Sequence, residues 1–195
     1  MDDVLNRNVF FVKEHTGVFK AANEFDISEP NSQRVVLECR EPDLGWFTRV
    51  LRFTDYKRMT PFKLVVRAPR GPTLLEVQRG VSLFLSKVSV LDGDGRVLGG
   101  FQQRFFSIGG KFDVLDPDGH PLCTLEGKWT GWEFSFKNGE REVARVTKKW
   151  AGFGREFFTS ADNYALQISE HVRPDDPVRP LILAAVLVID MVLKE

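Results

Sequence analysis

The chain has 195 residues, 43% hydrophobic and 12% aromatic, and its 27 Lys and Arg balance 27 Asp and Glu. That is enough apolar material for a real core, and the even charge excludes the strongly basic footprint of a nucleic-acid-binding protein. Cys39 and Cys123 are too few and too far apart for a disulfide framework or a zinc site, so a reducing compartment is expected.

The first residues, MDDVLNRNVFFVKEH, are acidic and contain no long apolar run with a small-residue cleavage site, so they read as mature cytoplasmic protein. Short runs of strand length and alternating character then follow one another. They are Val9 to Val12, Arg34 to Cys39, Phe62 to Arg67, Leu74 to Gln78, Val81 to Leu91 and Arg96 to Phe101. Further along come Lys111 to Leu115, Leu122 to Gly127, Trp132 to Phe136, Glu142 to Thr147 and Tyr164 to Ser169. Turn signals separate several of them: Asp92-Gly93-Asp94-Gly95, Asp116-Pro117-Asp118-Gly119 and Asn138-Gly139. Gly and Asn accept positive φ in such turns and proline presets one. About twelve strands are expected, and a sheet that large tends to curl and close, which removes its edges.

Segment 171 to 180, HVRPDDPVRP, is a proline-rich connector, with Pro180 suited to the first turn of a helix over 180–194. That helix is apolar from Leu181 to Leu193 except at Asp190. Its apolar run covers roughly 20 Å at about 1.5 Å per residue, against about 30 Å for a bilayer core. An aspartate in lipid adds a further cost of about 2.5 to 3.5 kcal/mol. A helix apolar on all sides and too short to span is one buried in protein. The expectation is a mainly β fold: one domain over 1–195, a closed antiparallel barrel with the C-terminal helix threaded through it.

Conventional catalytic signatures are missing. His15, His120 and His171 are scattered, and no nucleophile elbow, Walker loop or complete dinucleotide fingerprint is present. The Asp-x-Asp-Gly turns at 92 and 116 resemble cation loops but lack the closing glutamate of a calcium loop, so they read as hairpin turns. Trp129 and Trp132 flank a Thr-Gly pair and read as core or rim packing. Between Arg49 and Lys87 there are nine basic residues and two acidic ones, a local charge of +7. Arg49, Lys57, Arg58, Arg67 and Arg70 are the candidates in this stretch for contact with anionic headgroups.

The stretch VTKKWAGFGREFFTSADNYALQIS, 146 to 169, followed by LILAAVLVIDMVLKE, resembles the C-terminal half of the phospholipid scramblase family. Lys149, Trp150, Gly152, Arg155, Glu156, Phe158, Thr159, Ala161, Asp162, Asn163, Gln167, Ile189 and Asp190 fall in matching order, and NEFDISEPNSQRVVLECRE and PFKLVVRAPRGPTLLEVQR resemble earlier strands more loosely. The related Tubby-like and LURP-one-related proteins imply a barrel of about twelve strands around a central apolar helix. The resemblance implies binding of anionic phospholipid or a membrane surface, with ATP-independent movement of phospholipid between leaflets. It also implies a calcium loop from Ser160 to His171, in which Ser160, Asp162, Tyr164 and Glu170 are the candidate ligands. Ser160 stands where the family has Asp, and His171 where an acidic residue is expected. The residues themselves read differently: Tyr164, Leu166 and Ile168 alternate with Ala165, Gln167 and Ser169 as in a half-buried strand. The cysteine-rich run used for acyl attachment in the family has no counterpart, so contact with a membrane, at the inner face of the plasma membrane, is expected to be peripheral. A soluble ligand-binding or scaffold barrel without bilayer chemistry is the alternative, and neither reading names a protein partner.

Overall fold

The computed structural model describes residues 3–15, 24–30, 32–42, 61–80, 87–103, 111–128, 133–148 and 163–193. A 3-10 helix, Asp3–Asn6, leads into twelve strands. These are β1 (Val9–Glu14), β2 (Glu24–Ser28), β3 (Val35–Arg40), β4 (Phe62–Arg67), β5 (Thr73–Arg79) and β6 (Lys87–Asp92). Then come β7 (Val97–Gln103), β8 (Phe112–Leu115), β9 (Pro121–Lys128), β10 (Glu133–Asn138), β11 (Arg141–Thr147) and β12 (Asn163–Ile168), followed by one helix, α1 (Val178–Leu193). Each strand pairs antiparallel with its sequence neighbours, and β1 closes the barrel on β12 with Phe10 opposite Leu166 and Val12 opposite Tyr164.

The period-two patterns decide which side chains enter the barrel. In β4, Phe62, Leu64 and Val66 are buried while Lys63 and Arg67 are exposed; in β10, Phe134 and Phe136 point inward. The hairpin turns follow from their glycines: Gly95, Gly119 and Gly139 have φ of +82°, +89° and +60°. Asp92 Oδ1 accepts from the backbone N–H groups of Asp94 and Arg96, both at 2.9 Å, and Asp116 Oδ1 accepts from that of His120 at 2.8 Å. These carboxylates therefore shape their own turns.

Asp176 starts α1. Its Oδ1 accepts from the Val178 N–H at 2.9 Å and its carbonyl from the Arg179 N–H at 3.1 Å, with Pro177 and Pro180 in the first turn where a missing N–H costs least. Every residue from Leu181 to Ile189 is at most 4% exposed. Seven of these nine are Leu, Ile or Val, and at about 1.5–3 kcal/mol each their burial contributes on the order of 10–20 kcal/mol before entropy is subtracted. The helix is the barrel's filling. Gly99 lets it come close: a Cβ there would lie 3.0 Å from Leu181 Cδ1 and 2.2 Å from the Leu115 carbonyl oxygen.

The sequence pattern missed β2, where only Phe25 and Ile27 are large apolar residues among Glu24, Asp26 and Ser28. Pairing with β1 and β3 holds this short segment extended. The run expected at Val81 to Leu91 is a strand from Lys87, and 81–86 lie outside the described residues. The helix begins two residues before the expected position because Asp176, not Pro180, sets its start.

Sequential antiparallel pairing sorts the connections into two sets. Those leading from an even strand to the next odd one leave the barrel at one end, together with the 3-10 helix and the β12–α1 connector; this is the turn end. Those leading from an odd strand to the next even one leave at the opposite end.

Candidate functional site

At the turn end the helix entrance is sealed by Arg179, only 1% exposed. Its Nη1 donates to the Val172 carbonyl at 2.9 Å, and its Nη2 to the carbonyls of Asn6 and Arg7 at 2.9 and 2.7 Å and to Asn8 Oδ1 at 2.8 Å. Burial draws its pKa below the ordinary arginine value while the Asp176 carboxylate opposes the shift. An arginine stays charged regardless. The charge is solvated by oriented carbonyl dipoles, so the residue acts as a clamp.

Further along the helix, Ala185, Val188 and Ile189 face Phe101, Phe112, Val114 and Leu125 across an apolar cavity of about 10 Å³. That is roughly the room of one water molecule. An acyl chain does not fit in that cavity.

The structure divides the residues that the sequence nominated. Arg67 ends β4 and its Nη2 lies 3.5 Å from Glu38 Oε2, while Arg70 sits exposed in the β4–β5 turn with φ of +60°. Both belong to the turn end. Arg49, Lys57 and Arg58 lie outside the described residues, in the connection from β3 to β4, which leaves at the opposite end. Of the candidate calcium ligands, Ser160 and Asp162 also lie outside the described residues. Tyr164 is 1% exposed within β12, and Glu170 is exposed beyond the end of that strand. The extended strand keeps these two apart.

The family model described as Scramblase matches residues 5–195. The chain belongs to the scramblase family. No solved structure matches it. The matched span runs from Leu5, whose carbonyl receives Arg179 Nε at 3.4 Å, through the whole barrel and its buried helix.

In this scramblase-family barrel two polar clusters add to the sequence reading, which had singled out the turn at 116 without His120 and had not assembled the group around Asp26. In the β8–β9 turn Asp116, Asp118 and His120 bring one ligand atom each to within 4.8 Å of one another. Hydrogen bonding from the His120 backbone holds the Asp116 carboxyl below its usual range. In the matching β6–β7 turn Arg96 takes the place of His120 and binds both carboxylates, through Nε to Asp92 Oδ2 at 2.9 Å and Nη2 to Asp94 Oδ2 at 2.6 Å. Near the opposite end, Asp26 accepts from Arg40 Nη2 at 2.5 Å and lies 2.7 Å from His15 Nε2. Burial works to raise the Asp26 pKa, but the hydrogen bonds and charges of Arg40 and His15 bring it below the ordinary carboxylate value. Only strand pairing assembles this cluster, since β1, β2 and β3 contribute one member each or its immediate neighbour. For the β8–β9 cluster a signal was available in the five-residue run Asp-Pro-Asp-Gly-His, whose hairpin turn returns the fifth residue to the first.

Proposed function

We propose that the protein is a peripheral phospholipid-binding member of the scramblase family that moves phospholipids between leaflets without ATP, working from the cytoplasm at the inner face of the plasma membrane. The match of the family model over residues 5–195 carries this reading. The filled barrel supports contact from outside, and the basic segment between Arg49 and Lys87 supplies the cations for anionic headgroups. Each well-placed Lys or Arg contributes about 1 kcal/mol near an anionic surface. Calcium is proposed as a cofactor through the segment from Ser160 to Glu170.

Flotation of the purified protein with neutral and anionic vesicles, with and without calcium and at two salt concentrations, tests the reading. Salt-sensitive flotation restricted to anionic vesicles is expected, and a calcium requirement would assign the ion to this step. Transbilayer activity is then read from dithionite accessibility of a fluorescent lipid in reconstituted vesicles.

A second reading, a soluble ligand-binding or scaffold barrel, is favoured by the burial of α1. Among the described residues no helix is long and apolar enough to cross a membrane, and this one is consumed by the core. Absence of flotation under every condition selects it.

A further inference from the structure

Among the described residues two non-glycine residues have positive φ, Gln33 at +53° and Arg70 at +60°. They occupy neighbouring hairpins at the turn end, β2–β3 and β4–β5, whereas the β6–β7, β8–β9 and β10–β11 turns place glycine in that conformation. Left-handed backbone is costly for a residue with a Cβ, and such strain collects where a side chain is held out for a ligand. Gln33 and Arg70 are both exposed, and so is Arg34, which follows Gln33.

Strand pairing brings these tips together. Arg34 directly precedes β3, and β3 pairs with β4 so that Glu38 lies opposite Arg67. The same register carried three residues on sets Val35 level with Arg70, on strands about 4.8 Å apart. Arg34, Arg67 and Arg70 therefore emerge at one corner of the turn end. Segments 30–37 and 68–75 contain no Asp or Glu. The carboxylates that flank them are engaged: Glu29 accepts from Arg7 Nη1 at 2.6 Å and from Ser32 Oγ at 2.8 Å, and Glu38 faces Arg67 Nη2 at 3.5 Å. The guanidinium groups of Arg34 and Arg70 have no hydrogen bond or ion pair among the described residues. Other arginines at this end do: Arg96 pairs with Asp92 and Asp94, and Arg173 with Asp175.

We infer that this corner binds the headgroups of anionic phospholipid, with Arg34 and Arg70 as the contacting cations and Arg67 beside them. This rests on the peripheral phospholipid-binding reading above and names its contact residues. Arg34 lies outside the basic segment from Arg49 to Lys87 that composition singled out. Two uncommitted guanidinium groups at projecting tips suit the task, because each planar fork donates two parallel hydrogen bonds to phosphate or carboxylate oxygens.

The full chain is floated at low salt with phosphatidylcholine vesicles and with phosphatidylcholine–phosphatidylserine vesicles, beside Arg34→Gln, Arg70→Gln, the double variant and Arg141→Gln. Arg34 and Arg70 are exposed, so their substitution leaves the core untouched. Arg141 is likewise exposed and without an ion pair among the described residues, but it belongs to the β10–β11 hairpin, three hairpins further round the barrel. It controls for net charge. Affinity for the phosphatidylserine vesicles should fall roughly fivefold for each corner variant and at least tenfold for the double variant, with a loss under about twofold for Arg141→Gln. An unchanged double variant, or an equal loss at Arg141, overturns the corner while leaving phospholipid binding in place. Parent protein that does not float with these vesicles overturns the phospholipid-binding reading and the corner with it.

Discussion

Arg179 Nη2 donates to the main-chain carbonyl of Arg7 at 2.7 Å, joining residues 172 positions apart. The same guanidinium holds Asn6, Asn8 and Val172, so one side chain fixes the start of β1, the connector after β12 and the first turn of α1. Barrel closure and helix insertion share this point.

Replacing Arg179 removes acceptor-matched donors from a buried site. Arg179→Met leaves several buried carbonyls unpaired, each worth about 1–3 kcal/mol, and Arg179→Lys cannot span the same fork of acceptors. Urea denaturation should show a loss of about 2–4 kcal/mol for the lysine variant and more for methionine. A change below 1 kcal/mol in both would mean that the clamp is dispensable.

Gly99 is required where the helix touches β7. Its φ of +146°, and the 2.2 Å that would separate an added Cβ from the Leu115 carbonyl oxygen, leave no space for a side chain. Gly99→Ala should destabilise by about 3 kcal/mol, combining backbone strain with overpacking. Gly80, with no atom within 4 Å of a built Cβ, is the control and should accept alanine at little cost.

Arg70 occupies the left-handed region with φ of +60°, where the β6–β7, β8–β9 and β10–β11 turns place glycine. Arg70→Gly should raise the thermal midpoint, with a gain of roughly 0.5 kcal/mol after the extra chain entropy of glycine is subtracted. A lowered midpoint would show that the arginine side chain contributes more than its backbone costs.

Asp26 links stability to acid. Its folded pKa lies below the unfolded value of 3.8 because Arg40 and His15 outweigh the upward effect of burial. Its contribution is therefore present above pH about 4 and disappears as pH falls through the lower, folded pKa. Asp26→Asn should lose stability at neutral pH and show a shallower decline across the acid range. A variant whose acid limb matches the parent's would place the linkage elsewhere.

The barrel was legible in the sequence because its information is local: alternating runs such as Phe62 to Arg67, and glycines at the turns that need positive φ. The buried helix was legible too, since Leu181 to Ile189 offers no polar face. Strand β2 was hidden by composition, its two inward residues being too few to form a pattern until β1 and β3 lie beside it. Arg179 was hidden for another reason. An arginine in a first helical turn reads as solvated, and its acceptors are more than 160 residues away in four of its bonds. On the candidate surface, charge counting found the basic segment, but placing Arg67 and Arg70 at the turn end needed the direction of β4.

Threading α1 through the barrel also constrains the order of events during biosynthesis. The ribosome makes all twelve strands before the segment that fills them, and β1, the first strand made, finds its second neighbour only in β12, the last. Until α1 emerges, the inward side chains of every strand lack the surface they pack against in the finished molecule. Native closure consequently waits for β12 and is dominated by distant pairings, a combination that slows folding and leaves open strand edges on the growing chain. During the interval between the synthesis of β12 and the arrival of its plug, those open edges and unfilled apolar faces favour aggregation.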